Sequence, residues 1–166
     1  MFRLTRYLQA LANPVLAQRR PQVAAPTGPG VIWNLIRRCN LTCKHCYATS
    51  ADKNFPGELS TAEVFDVMDD LKFYGVPVLI LSGGEPLMRP DIFEISRRAK
   101  AMGFYVGLSS TGTLISENTI EQIREVGYDY VGVSLDGMRE VHDCFRRRVG
   151  AFDESLRGIR LCRDAG

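Results

Sequence analysis

The chain has 166 residues, of which 45% are hydrophobic and 24% charged, with a formal net charge of +2. That length supports one domain with a sizeable core, and so small a charge excess gives no case for nucleic acid as the main partner. No apolar run is long enough for a membrane span, and Arg3, Arg6, Arg19 and Arg20 interrupt Leu4, Leu8 and Leu11 too often for a secretory signal.

The first thirty residues read as a short amphipathic helix followed by a linker, with Leu4, Leu8, Leu11 and Val15 near helical spacing and Asn13-Pro14 interrupting them. Pro21 to Pro29 reads as an extended, mobile linker. The folded domain, 31–166, is expected to begin at Val31, and Val31 to Ile36 is the first predicted strand. Ser60 with Glu63 forms a capping box that opens a helix through Tyr74, stopped by Gly75. Val78 to Leu81 is fully apolar, as in a strand buried on both faces. A helix is predicted over Asp91 to Met102, a strand over Tyr105 to Leu108 and a helix over Ser116 to Val126. Tyr130 to Leu135 is the fourth strand and Phe152 to Ala165 the last helix.

Four strand–helix units in succession predict an α/β fold of parallel (β/α) repeats, either an open sheet or part of a barrel. In both, chemistry belongs at the loops leaving the strands' C-terminal ends. The polar motifs cluster there: Cys39 to Cys46, Gly83 to Pro86, Ser109 to Gly112 and Ser134 to Gly137 each follow a strand. A fifth strand is expected where the chain stops, and a full barrel needs about 250 residues. The chain is therefore read as the N-terminal portion of a longer protein with an open sheet edge, the alternative being a complete four-stranded domain.

Three of the five cysteines, Cys39, Cys43 and Cys46, fall within eight residues, while Cys144 and Cys162 lie apart. Such spacing reads as metal ligation in a reducing cytoplasm rather than as disulfides. Three thiolates can bind three irons of a cubane cluster and leave the fourth open, whereas electron-transfer clusters normally have four cysteine ligands. The alternative is a structural zinc site that adds His45, although residues 44 to 46 are cramped for it. Cys144 and Cys162 read as ordinary thiols.

The C-x3-C-x2-C spacing, Tyr47 after the third cysteine and the Gly83-Gly84-Glu85-Pro86 turn resemble the radical S-adenosylmethionine superfamily. Trp33 to Arg38, Leu79 to Pro86 and Phe93 to Lys100 are similar to its NirJ-like group, the radical enzymes of haem d1 biosynthesis. The resemblance implies the N-terminal part of a partial TIM barrel, a [4Fe-4S] cluster on Cys39, Cys43 and Cys46, and S-adenosyl-L-methionine on the open iron. It places Gly83, Gly84 and Glu85 around the cofactor's amino group and His45 near the adenine. Ser110, with Ser109 and Thr111, falls near the methionyl carboxylate and ribose, and Ser134 and Asp136 face the ribose. Thr111 stands where many relatives carry Asn. Ser134 and Asp136 also read as a strand terminus with a turn-forming Asp.

Arg37 or Arg38 is a candidate anchor for substrate carboxylates, because guanidinium binds them bidentately. Arg146-Arg147-Arg148 reads as a solvated loop, while the resemblance would let an arginine near His142 and Asp143 meet the cofactor's carboxylate. The activity so implied is reductive cleavage of S-adenosylmethionine to a 5′-deoxyadenosyl radical that removes propionate side chains from didecarboxysirohaem. Flavodoxin or ferredoxin would supply the electron, and a cysteine-rich C-terminal extension would hold an auxiliary cluster. A haem-synthesis decarboxylase, a peptide maturase, an iron–sulfur electron carrier and a zinc module are the rivals.

Overall fold

A computed structural model describes residues 28–166. The predicted N-terminal helix and nearly all of the linker lie outside the described residues. Four parallel strands, β1 (Gly30–Ile36), β2 (Val78–Gly83), β3 (Tyr105–Ser110) and β4 (Tyr130–Val133), form one sheet in the order β1-β2-β3-β4. The order never reverses, so right-handed crossovers place the connecting helices on one face, as in a barrel wall rather than a doubly wound sheet.

Between the strands run α1 (Thr61–Phe73), α2 (Ile92–Ala101) and α3 (Glu117–Val126), with α4 (Arg139–Arg146) and α5 (Ala151–Ala165) after β4. The predicted caps are present. The Ser60 hydroxyl accepts from the Glu63 amide, and Glu63 accepts from the Ser60 amide at 2.8 Å. Ser116 and Thr119 repeat the arrangement at the start of α3. Predicted boundaries agree to within one or two residues. β2 and β3 run further, because pairing carries β2 through Ser82 and Gly83 and β3 through Ser109 and Ser110, whereas β4 stops at Val133, two residues short of the expected Leu135.

The covered face carries Leu79, Leu81, Val106 and Leu108, which pack against Val64, Met68, Ile95, Ala99, Ile120 and Ile123 of α1 to α3. Alternate residues face the other way: Ile32 is 66% exposed and Tyr130 40%. Ile80, on that open side, is buried and comes within 2.5 Å of where a Cβ on Gly107 would stand. α4 corrects the solvated-loop expectation. Its residues His142 and Arg146, one turn apart, are both buried.

Candidate functional site

The loop leaving β1 is tied down on two sides. Cys39 N–H donates to Ala51 O at 3.1 Å, and Lys44 N–H donates to Phe145 O on α4 at 2.8 Å. Each cysteine sulfur receives at least one N–H: Leu41 N to Cys39 Sγ at 3.4 Å, Ser50 N to Cys46 Sγ at 3.4 Å and Arg146 Nη1 to Cys43 Sγ at 3.5 Å. Burial pushes the Cys39 thiol up to about 11. Burial also works against ionisation of Cys46, but donors from Ser50, Ala48 and Thr49 outweigh it and hold that thiol below its ordinary value. All three cysteines line one cavity of 290 Å³ at the C-terminal ends of the strands.

The opposite wall is the turn after β2. Gly84 N–H donates to Ile36 O at 2.6 Å and Glu85 N–H to Arg38 O at 3.0 Å, which draws the turn onto the root of the cysteine loop. A Cβ on Gly84 would sit 2.4 Å from Arg38 O, and one on Gly83 2.3 Å from Ile36 O. Only glycine allows two backbones so close. Gly83 and Gly84 line the cavity.

Glu85 does not line it. Its side chain is fully buried and accepts from Ser110 Oγ at 2.8 Å, Thr111 N at 2.8 Å, Thr111 Oγ1 at 2.7 Å and Leu87 N at 3.1 Å. Burial raises its pKa against the pull of those donors. Thr111 Oγ1 is 2.9 Å from Thr113 Oγ1, which accepts from Asn40 Nδ2 at 2.9 Å. The carboxylate therefore ends a hydrogen-bonded chain that starts beside Cys39.

The remaining wall comes from β3 and β4. Ser109, Ser110, Thr111, Ser134 and Asp136 all line the cavity, as does His45. His45 sets its ring 5.6 Å from that of Phe145 and its Nε2 3.6 Å from Asp136 Oδ1. Asp136 meets Arg146, with Nε 2.7 Å from Oδ2, and Arg146 Nη2 donates to Ser134 O at 3.1 Å. Arg146 is thus part of the site, which the run of three arginines in the sequence disguised. The signal was present in the four-residue spacing of His142 and Arg146. Arg148 instead pairs with Glu154, and Arg147 is exposed. His142 Nδ1 accepts the Asp136 N–H at 3.2 Å, and burial, then the nearby Arg146, hold the ring's pKa below its ordinary value.

Neither candidate anchor reaches this cavity. Arg37 donates through Nε to Ala48 O at 2.7 Å and through Nη2 to Thr49 Oγ1 at 2.6 Å, stacked over Phe55. Arg38 pairs with Asp52 at 2.7 Å. Both brace the cysteine loop, and Arg37 lines an adjoining cavity of 520 Å³ with Trp33, Asn34 and Phe55, which shares Tyr47, Ala48 and Gly83 with the cysteine cavity. Cys144 is exposed with Lys44 Nζ at 2.8 Å, and Cys162 packs against the core.

The donor set suits an iron–sulfur cluster. It offers three thiols on one loop, an N–H donor to every sulfur, and no fourth cysteine on the cavity wall. His45, the fourth ligand of the zinc alternative, turns its Nε2 toward Asp136.

The sequence profile of the Radical SAM superfamily matches residues 33–166. The chain is 46% identical over 167 positions to the pre-heme d1 synthase of Dinoroseobacter shibae, covering all of this chain and 40% of that protein. It is 49% identical over 138 residues to the Fe-coproporphyrin III synthase of Methanosarcina barkeri, covering 83% of this chain and 35% of the relative. The chain therefore spans well under half the length of these curated relatives. In fold it is similar to Streptococcus suis SuiB bound to S-adenosylmethionine, with TM-score 0.71 at 15% identity, over 100% of this chain and 38% of that one. It is also similar to anSMEcpe with bound AdoMet, with TM-score 0.62 at 23% identity, over 81% of this chain and 40% of that one. With the cysteine loop, the glycine turn and the strand ends on one rim, the chain belongs to the Radical SAM superfamily.

Proposed function

We propose that residues 28–166 carry the cluster- and cofactor-binding part of a radical S-adenosylmethionine enzyme that acts on a sirohaem-derived tetrapyrrole in haem d1 biosynthesis. The observation that carries this reading is a single cavity lined by Cys39, Cys43, Cys46, Gly83, Gly84, Ser110, Ser134, Asp136 and His45. A [4Fe-4S] cluster held by the three cysteines would supply the electron that splits the sulfonium of S-adenosyl-L-methionine.

The chain's own residues do the positioning. Gly83 and Gly84 bring main-chain groups up to where the cofactor's amino group would lie. Glu85 acts one step back, locking the ends of β2 and β3 together, in place of the direct contact expected from the sequence. Ser110 and Ser134 form part of the wall, Ser110 with its hydroxyl turned back to Glu85, and His45 closes the rim beside Phe145. Removal of propionate side chains is supported by the identity to the pre-heme d1 synthase along the whole chain. The comparable identity to the Fe-coproporphyrin III synthase favours a second reading, decarboxylation on a haem-synthesis route. Flavodoxin or ferredoxin is the electron donor, and the cytoplasm the setting, in either case.

The test is anaerobic reconstitution of the intact protein, iron and sulfide analysis, and incubation of the reduced protein with S-adenosylmethionine and didecarboxysirohaem. Release of 5′-deoxyadenosine and a tetrapyrrole lighter by propionate groups is expected. Zinc in place of iron would end the reading. A cluster without cofactor cleavage would leave an electron carrier, and a mass change on a different tetrapyrrole would favour the second reading.

A further inference from the structure

Arg146 is 7% exposed, and each guanidinium nitrogen has a neighbour, although Nε meets Asp136 Oδ2 as a close ion pair and not as an aligned hydrogen bond. Nε faces Asp136, Nη2 donates to Ser134 O, and Nη1 donates to Cys43 Sγ. A buried cation is costly unless its charge is answered and its donors are used. Asp136 answers it on one side, and a Cys43 thiolate would answer it on the other. The contact is built in rather than incidental. The neighbouring residue on α4, Phe145, takes the Lys44 N–H through its carbonyl, which fixes the helix against the cysteine loop. One turn earlier, His142 holds the Asp136 amide, so both ends of the Asp136–Arg146 pair are anchored by α4.

We propose that Arg146 is a positioning residue that clamps Cys43 to Asp136 at the end of β4 and sets the reduction potential of the cluster by holding a fixed positive charge beside it. This rests on the reading of the three cysteines as cluster ligands. Reduction adds one negative charge to the cluster. A buried guanidinium favours that state, and its N–H···S bond draws electron density from the thiolate. Arg146 therefore raises the potential, and the carboxylate of Asp136 offsets part of that effect. The two residues act with opposite sign although they touch one another.

The experiment is an EPR-monitored redox titration of the reconstituted intact protein without S-adenosylmethionine, with iron and sulfide content measured in parallel. Arg146→Gln is expected to shift the midpoint potential to more negative values, and Asp136→Asn to more positive values. Arg146→Lys, which keeps the charge but not the fork, is expected to lie between Arg146→Gln and wild type. A purely structural role would lower cluster occupancy in every variant and would give no opposed shifts. Should Arg146→Gln fail to hold a cluster, the Lys and Asp136→Asn variants decide the matter. Potentials that stay put, or move the same way in both, overturn the role of Arg146 while the cluster reading survives. Wild-type protein that takes up no iron overturns both.

Discussion

Gly84 and Glu85 are adjacent but act by different physics, and each can be tested alone. Gly84→Ala would drive a methyl group into Arg38 O at 2.4 Å. Arg38 O and Arg37 O, the latter at 2.5 Å, are both backbone, so the strain must go into the turn or the cysteine loop. We expect the reconstituted variant to bind less iron than wild type, read by iron assay, while a circular dichroism spectrum of native shape persists. Glu85→Gln turns one acceptor oxygen into an amide N–H donor that meets a backbone N–H head-on, Thr111 N at Oε2 or Leu87 N at Oε1. Leaving such buried groups unmatched costs about 1–3 kcal/mol, which a lowered denaturation midpoint would report.

His142 supplies a pH dependence. Its pKa in the folded chain lies below the ordinary value of 6.5 because burial, and then Arg146, disfavour the charged ring. The unfolded chain therefore binds a proton first, so this residue's contribution to stability is lost as pH falls below 6.5. A denaturation series from pH 7.5 to about 5 should show wild type losing more stability than His142→Gln. Equal slopes would remove His142 from the account.

Among the elements, α1 to α3 were legible because their signals are local. Ser60 and Ser116 cap the helices they precede, and Gly75, Gly103 and Gly127 follow them with left-handed backbone. α4 was not legible. Its charged residues Arg139, Glu140, Asp143 and Arg146 share one face and Val141, Cys144 and Phe145 the other, yet the side that is buried is the polar one, through His142 and Arg146, while Val141 and Phe145 stay exposed. α5 depends on one close approach. A Cβ on Gly158 would lie 2.4 Å from Gly112 O, and nearby Ser155 Oγ donates to Thr111 O at 2.8 Å. Gly158→Ala is expected to destabilise the fold by roughly 2 kcal/mol through overpacking against backbone. Because the strained loop follows Thr111, cofactor affinity should weaken along with the melting temperature. A stabilised Gly158→Ala variant, from added helix propensity, would mean that α5 docks less closely.

At the scale of the molecule, the described sheet has two unpaired edges, β1 and β4. Exposed parallel edges invite pairing with another chain. Residues 28–166 expressed alone should therefore bind a cluster, associate at high concentration and turn over poorly. Light scattering on that fragment beside the intact protein checks the point, and a monodisperse, fully active fragment would refute it.

The sequence by itself determined the strand–helix alternation, most of the caps and the grouping of the three cysteines on one loop, since periodicity, capping and short spacings operate over a few residues. It also placed the polar motifs at strand ends, because parallel crossovers leave little choice. Only the tertiary structure decided which of those residues meet. Arg146 and Cys43 lie 103 positions apart, and Glu85 and Ser110 lie 25. Whether they touch depends on register and helix packing, which no short segment encodes. For the same reason Arg37 and Arg38, side by side with Cys39 in the chain, turn away to brace the loop, while an arginine from the far end of the domain enters the site.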